Sequence, residues 1–172
     1  EAMETTGSDR PDLRFGLRFV DVTDVFPGTG YAIFRRILEQ GGCIKGINVK
    51  GQSERLSKNV LQNEYAKEIV PGFGAKGMTW MRVVDGGLES NIVQFFSDAE
   101  QRGILERFAA EKGDVILMIA DPSWSLVCSA LGQLRLHLAE RLGLIPRDVY
   151  YPLWVTDFPL FEATENGVTS SH

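Results

Sequence analysis

Nucleophilic or metal-assisted chemistry needs histidine, cysteine or carboxylate side chains at suitable spacing, and this sequence offers few of them. Its histidines are His137 and His172, and its cysteines are Cys43 and Cys128. No His-x-x-x-His or Cys-x-x-Cys pair occurs, so the residues lack a zinc-binding pattern. A serine or cysteine nucleophile would need a histidine beside it, and we expect His137 to face solvent on a helix. The sequence therefore predicts two free thiols, no catalytic residue and no metal site.

Two glycine-rich loops have the composition of a phosphate cradle but not its spacing. Gly28-Thr29-Gly30 lacks the third glycine of a dinucleotide fingerprint. Residues 72–77, Gly-Phe-Gly-Ala-Lys-Gly, lack the Gly-Lys-Ser/Thr ending and lead into a strand. No helix dipole would then lie behind a bound phosphate. We predict that both loops are turns.

One carboxylate stands within an apolar segment. Asp157 lies in Trp-Val-Thr-Asp-Phe-Pro, where an acid must be exposed, paired or functional. Pairing with an arginine and a catalytic role are both open. For Asp21 and Asp24 we expect exposed positions.

Charge is distributed unevenly along the chain. The net charge of −5 argues against strong nonspecific nucleic-acid binding. Residues 31–85 nevertheless carry nine basic and five acidic side chains, so this half is mildly positive. It could steer an RNA backbone, or its lysines could serve solubility alone. The candidate RNA-facing residues are Lys45, Lys50, Lys58 and Lys76.

Length and composition indicate one domain with short flanking segments. The chain has 172 residues, of which 44% are hydrophobic and 24% charged, as in an ordinary globular protein. No apolar run approaches the roughly 20 residues of a membrane span. We expect a cytoplasmic protein.

The predicted strands begin near the N-terminus. Residues 13–26 partly alternate between apolar and polar types until Pro27-Gly28 breaks the pattern. Runs 31–38 and 43–49 are β-compatible and are separated by paired glycines, which favours a hairpin. The run 78–84 and the wholly apolar run 115–120 complete the set, and the latter suits a central strand.

Three helices are predicted. The first covers 57–69 and opens on a serine cap, while the second covers 97–110 and opens on a Ser-x-x-Glu capping box. The longest has Asp121 as its cap, Pro122 in its first turn and Gly143 at its end. Its apolar residues recur three or four apart, so one stripe should face a sheet.

The order of elements gives a β-β-α-β-β-α plan. We predict an α+β fold with a mainly antiparallel sheet of about four strands, covered by helices on one face in two layers, as in DCoH-like folds. Residues 27–150 would form this domain. Residues 1–26 and 151–172 would be flanking segments, the second with a returning strand and a disordered tail.

Five stretches together resemble bacterial-type aspartyl-tRNA synthetase. Two are the end blocks, residues 7–16 (Gly-Ser-Asp-Arg-Pro-Asp-Leu-Arg-Phe-Gly) and 154–162 (Trp-Val-Thr-Asp-Phe-Pro-Leu-Phe-Glu). The others are Val20–Phe26, Gly74–Gly77 and Ala130–Leu136. In that family the end blocks flank an inserted domain, the GAD domain, which also occurs in one subunit of the tRNA-dependent amidotransferase. The resemblance implies an insertion with stubs of the class II catalytic core.

The resemblance also implies partners and limits. The parent enzymes, expected to be homodimers, use ATP and Mg²⁺ to attach aspartate to tRNA. His172 would match a histidine that contacts substrate aspartate. Phe34-Arg35-Arg36-Ile37 is not the Arg-x-Glu segment that holds ATP, and the late glycine-rich block ending in arginine is missing. We expect the isolated chain to be inactive, free of cofactors and monomeric.

Three functions stay open at this point. The first is a noncatalytic insertion close to the tRNA of the parent enzyme, which is the tRNA for aspartate or also that for asparagine. The second is a structural domain or one that docks an amidotransferase, including the insert of the amidotransferase's own GAD-containing subunit. The third, an independent small enzyme, is disfavoured by the missing catalytic constellation.

Overall fold

The computed structural model describes residues 1–156 and the backbone of two further short strands, within 161–164 and 167–170. Asp157 and His172 lie outside the described residues. The strands are β1 (Val20–Asp21), β2 (Cys43–Val49), β3 (Thr79–Val84), β4 (Gly87–Glu89), β5 (Val115–Asp121), β6 (Phe161–Thr164) and β7 (Gly167–Ser170). The α-helices are α1 (Ala2–Thr6), α2 (Ala32–Glu39), α3 (Val70–Gly72), α4 (Asp98–Arg107) and α5 (Trp124–Leu142). Shorter or wider helical turns are the 3₁₀ segments Thr23–Val25 and Val93–Phe95 and the π-helix Val60–Ile69.

The main sheet has five antiparallel strands in the order β1-β2-β5-β3-β4. The apolar strand β5 is central, with Gly46 of β2 opposite its Met118 and Met81 of β3 opposite its Ile116. Burial between two neighbours and two faces explains why it carries no alternating polar residues up to Asp121. The predicted α+β class is confirmed, with five strands where we expected about four.

Helices cover both faces of this sheet, whereas the prediction placed them on one. Along β5, Val115, Leu117 and Ile119 point into one core cluster, and Ile116 and Met118 point into the other. We call the first the long-helix face, because α5 and the π-helix cover it. The second is the aromatic face, covered by α2 and α4.

The aromatic face is packed around four rings near the N-terminal half of the chain. Phe26 and Phe34 meet edge to face at 5.0 Å, and Tyr31 meets Phe34 at the same distance. Phe96 lies within 6 Å of all three rings. Edge-to-face pairs add to the burial energy and fix ring positions, so this cluster holds α2 rigidly on the sheet.

On the long-helix face, α1 lies against α5 at a pair of glycines. A Cβ atom on Gly7, where φ is +72°, would lie 2.2 Å from the carbonyl oxygen of Cys128. A Cβ atom on Gly132 would lie 2.9 Å from the carbonyl oxygen of Gly7. Only glycine allows the two backbones to approach this closely.

The predicted strand over 31–38 is wrong, because this segment forms α2. Phe34 is buried while Ile33 and Arg36 are exposed. Tyr31, Phe34 and Leu38 therefore recur with the helical period of three to four. In this segment the helical spacing of the apolar residues outweighs their β-compatible composition.

The start of α5 also differs from the prediction. Asp121 remains in β5, where its Oδ1 accepts a hydrogen bond from the Ser123 backbone N–H at 2.9 Å. Ser123 is the cap, since its Oγ accepts from the backbone N–H of Leu126 at 3.3 Å. Gly143 ends the helix in the left-handed conformation, as predicted.

The capping box that opens α4 is confirmed, since Ser97 and Glu100 each bond the other's backbone N–H. The predicted helix over 57–69 exists mainly as the π-helix and continues into α3 through Pro71.

Two predictions at the ends of the chain need correction. Within 13–26 only β1 is a strand, because Leu17 adopts φ +60°, which breaks an extended course. β6 and β7 pair as a hairpin in the segment where we predicted a disordered tail.

Candidate functional site

Lys45, the first predicted RNA-facing residue, is buried. Its residue exposure is 2%, and its Nζ lies 3.2 Å from Oδ2 of Asp21 and 5.9 Å from the centre of the Trp124 ring. A phosphate cannot reach this ammonium without opening the core. The structure therefore removes Lys45 from the RNA-facing set.

Lys50 and Lys58 are exposed, and each forms an ion pair. The Nζ of Lys50 lies 3.0 Å from Asp114 Oδ2 and donates to the Ala109 carbonyl, while the Nζ of Lys58 lies 2.8 Å from Glu89 Oε1. The exposed Lys58 pair is worth at most about 1 kcal/mol, whereas Lys50 pairs with a carboxylate that is buried, since Asp114 is 3% exposed. Glu89 also pairs with Arg82 at 2.8 Å, so Lys58 and Arg82 share one carboxylate, and neither Lys50 nor Lys58 is free of a local partner.

Lys76 is different, because it is exposed and forms no ion pair with any described residue. Arg36 on α2 shares both properties and lines the same cleft as Lys76, and Arg35 beside it is exposed as well. Arg36 was not among the candidates from the sequence, because its place at the cleft depends on residues 32–39 forming a helix and not the predicted strand. Arg55 and Lys67 are also exposed and form no ion pair with a described residue, but they do not line this cleft, which gathers Arg36 and Lys76 beside Arg35.

The cleft lies between α2, the loop before β3 and the end of β5, and it encloses about 450 Å³. Its apolar lining includes Ile33, Ile37, Met78, Met118 and Ala120. Its polar lining comprises Arg36, Gln40, Lys76, Thr79 and Asp121. Clefts of about 300–1,000 Å³ with apolar walls and a few polar groups are typical of ligand sites.

Tyr31 forms one wall of the cleft and is held in place by other rings. It stacks on Phe95 with centroids 5.9 Å apart and planes 24° apart, and it meets Phe34 and Phe96 edge to face. Burial raises the pKa of the Tyr31 phenol, so its hydroxyl stays protonated near neutral pH. The wall is thus preformed and uncharged.

At the floor of the cleft the last residues of β5 lack a neighbouring strand on one side. β2 pairs with β5 as far as Asp121, whereas β3 pairs with β5 only from Met118 to Val115. Residues 119–121 therefore lack a strand on the β3 side within the described sheet. An unpaired strand edge can accept an incoming partner, and here Ala120 is the half-buried residue of that edge, since Ile119 and Asp121 are buried.

Elsewhere, His137 is not the solvent-facing residue that we predicted. It is half-buried on α5, meeting Tyr65 edge-on at 5.7 Å and Phe73 at 6.2 Å, and its Nε2 has no hydrogen-bond partner among the described residues. Cys128 is buried, and burial raises its pKa to about 11, which keeps the thiol protonated and unreactive. Cys43 is half-buried, and both thiols are free, as predicted.

The described residues contain no group of three or more His, Cys, Asp or Glu side chains that could hold a metal ion. They also contain no helix long and apolar enough to cross a membrane.

Sequence reasoning also missed Arg135, a fully buried arginine of α5. Its Nη2 donates to the carbonyl oxygens of Asp12 (2.5 Å), Gly16 (3.2 Å) and Phe15 (3.3 Å), and its Nε donates to that of Leu17 (3.2 Å). Its guanidinium carbon lies 4.1 Å from the centre of the Phe15 ring. Burial lowers the pKa of this guanidinium, yet four carbonyl dipoles support its charge. The segment 12–17 is clamped to α5 by this one side chain.

Comparison with known proteins gives a consistent picture. Residues 34–131 match the GAD domain family. Over its full length the chain is 70% identical to the aspartate–tRNA(Asp/Asn) ligase 1 of Syntrophus aciditrophicus (strain SB) and 45% identical to the aspartate–tRNA(Asp/Asn) ligase of Brachyspira hyodysenteriae. Over 96% of its length it is 42% identical to the aspartate–tRNA ligase of Lysinibacillus sphaericus. The chain spans 24%, 29% and 28% of these relatives.

Proposed function

This chain belongs to the GAD domain family, and from that premise we propose that it is the inserted GAD region of an aspartate–tRNA ligase. The similarity to such ligases along the entire chain, including both end blocks, supports this proposal. Residues 27–150 would be the inserted domain. Residues 1–26 and 151–172 would be the adjoining segments of the catalytic part.

The complete protein would join aspartate to tRNA with ATP and Mg²⁺, in the cytoplasm and as a homodimer. Phe34-Arg35-Arg36-Ile37 is not the Arg-x-Glu segment that holds ATP in the family it resembles, so we propose that adenylation takes place in other parts of the ligase. We propose that this piece is noncatalytic and that His172 contacts substrate aspartate in the complete enzyme.

We propose that the domain lies against the tRNA, and one observation carries this role. Arg35, Arg36 and Lys76 are exposed without an ion pair among the described residues and lie at or beside one cleft. Cations that are free of local partners attract a phosphate backbone and release its counterions. In the proposed contact, Arg36 takes the place that we first assigned to Lys45.

A second role has its own observation. Tyr150 is 92% exposed, Trp154 is 95% exposed and Tyr151 is 58% exposed, all in the segment that leaves the domain. Exposed aromatic residues in such a cluster are typical of protein contact surfaces. We propose that they pack on the catalytic part of the ligase. Docking of an amidotransferase is the alternative use of the same surface.

The tRNA role is tested by fluorescence anisotropy of labelled aspartate tRNA and an unrelated tRNA, at low and near-physiological salt. The variant is Arg36→Glu with Lys76→Glu. The matched control is Arg102→Glu, an exposed arginine of α4 that does not line the cleft. We expect the double variant to weaken tRNA binding about tenfold or more, most strongly at low salt, and the control to have little effect.

Equal affinities for the double variant, the control and the unchanged chain would contradict the tRNA role. That result would favour the structural or docking role, which does not depend on the cleft.

A further inference from the structure

The cleft has more than the charge of a basic patch. Taking the proposed tRNA contact as its premise, we propose that the cleft binds one unpaired ribonucleotide, with the base between the apolar walls and the phosphate against Arg36 and Lys76. Such a nucleotide arrives either as a residue of a folded RNA or as a free mononucleotide.

The walls suit a flat aromatic base. Met78 presents a polarizable thioether, Ile33 is 50% exposed, and the Tyr31 ring is fixed by its aromatic neighbours, while the fully buried Met118 lies beneath them. Nucleic-acid bases stack on such apolar surfaces whatever their identity. A preformed wall also lowers the entropy cost of binding.

The open edge of β5 suits the hydrogen-bonding edge of a base. Residues 119–121 have β2 on one side and no strand on the β3 side within the described sheet. Ile119 and Asp121 are 1% and 6% exposed, whereas Ala120 is half-buried and lines the cleft, so a backbone contact to a base would be made at Ala120. An extended peptide would need a longer edge, since strands usually run about five or six residues. The short edge therefore favours a nucleotide over an acidic peptide.

Charge sets the orientation. Arg36 and Lys76 are exposed cations of the lining, whereas Asp121, the last residue of β5, is 6% exposed and therefore lies deeper in the lining. Its carboxylate would repel a phosphate placed deep in the cleft. The phosphate must stay at the outer cations, which leaves the inner space to the base.

Gly77 allows the cleft to be filled without a change in charge. A Cβ atom built there has no atom within 4 Å, and the backbone conformation is open to other residues. The test variant is Gly77→Phe. Gly72→Phe is the matched control, because Gly72 has the same open space but does not line the cleft. The probes are an RNA hairpin with a short single-stranded adenosine extension, the same hairpin with a blunt end, and AMP as competitor.

We expect the chain to bind the extended hairpin about tenfold more tightly than the blunt one. Gly77→Phe should abolish this difference, and Gly72→Phe should retain it. Competition by AMP would identify a free mononucleotide as a sufficient ligand, and its absence would assign the site to a nucleotide within RNA. Ile33→Ser, at a half-exposed wall residue outside the core, should reduce the preference even if Gly77→Phe fails to fold.

A preference that survives Gly77→Phe would overturn the nucleotide site. So would displacement by an acidic peptide that exceeds displacement by RNA. If the charge variants at Arg36 and Lys76 weaken tRNA binding while Gly77→Phe does not, the tRNA contact stands and only the nucleotide site fails. If neither set has an effect, both proposals fail.

Discussion

Basic side chains are buried on one face of the central sheet and exposed beside the other. The long-helix face encloses Lys45 and Arg135, each 2% exposed, whereas the cleft beside the aromatic face leaves Arg36 and Lys76 exposed. A buried cation needs acceptors that replace water, and Asp21 and four backbone carbonyls supply them. The cations left in solvent are those available to a ligand. Whether a cation is structural or available for binding therefore depends on its local hydrogen-bond and ion-pair partners, and not on the number of basic residues in a segment.

The largest effect is expected at Arg135. Arg135→Met removes the hydrogen bonds to four carbonyls while it retains much of the apolar stem, so the freed carbonyls lose their partners. We expect a loss of about 3 kcal/mol or more in the free energy of unfolding. Urea unfolding followed by circular dichroism measures it, with the exposed Arg102→Met as control. A loss below about 1 kcal/mol would show that water or another donor replaces the clamp.

The next largest effect is expected from alanine substitutions at two helical glycines, one packed against backbone and the other against a side chain. Gly132→Ala directs its Cβ at the carbonyl oxygen of Gly7, and Gly103→Ala directs its Cβ at a methyl group of Val25, both at 2.9 Å. Backbone cannot move aside as a valine side chain can. We expect Gly132→Ala to destabilise by about 1–3 kcal/mol. For Gly103→Ala, the gain in helix propensity should offset most of the cost.

Thermal unfolding of both glycine variants gives this comparison. Equal losses would mean that α1 yields as easily as one side chain.

Lys45 should matter less than Arg135. Lys45→Met keeps the volume and removes a charge whose desolvation offsets much of its pairing energy, so we expect a change within about 1 kcal/mol at pH 7.

The clearer sign of this pair is pH dependence. Burial alone would raise the pKa of Asp21, but hydrogen bonds from Thr23 and the pair with Lys45 lower it below its ordinary value. The stability contributed by ionised Asp21 is present above its unfolded pKa and is lost as pH falls through the lowered folded pKa. Lys45→Met should flatten the acid limb of the stability curve, measured by urea unfolding between neutral and strongly acidic pH. An unchanged acid limb would count against the pair.

The smallest effect on stability is expected at the cleft. Arg36→Glu and Lys76→Glu should each change the free energy of unfolding by no more than about 0.5 kcal/mol, because neither side chain has a described ion-pair partner to lose. A large destabilisation by either variant would show that this cation stabilises the fold, and the two faces would then not differ in how they use their cations.

The sequence allowed the class of fold and several element ends to be predicted, because their causes are local. The capping box at Ser97, the left-handed Gly143 and the apolar strand β5 depend on neighbouring residues alone. The start of α5 was misplaced by two residues, since Asp121 and Ser123 can both cap a helix and only the extent of β5 decides between them.

The candidate site could be predicted less well, because it depends on contacts distant in sequence. Nothing near Lys45 shows that Asp21, 24 positions earlier, neutralises it inside the core. Arg135 is likewise one arginine in a helix until residues 12–17 fold back on it. Arg36 and Lys76 share a cleft only because α2 and the loop before β3 meet over β5.

The clamp at Arg135 bears on how this protein can be dissected. A domain cut at residue 27 would lose the carbonyls that Arg135 binds, the carboxylate that pairs with Lys45 and the edge strand β1. In such a fragment Lys45 and Arg135 would lose their partners, and β2 would become an unpaired edge strand. We therefore expect the smallest independently folding unit to include the N-terminal segment. In a shorter recombinant piece, a loss of RNA binding could result from unfolding alone.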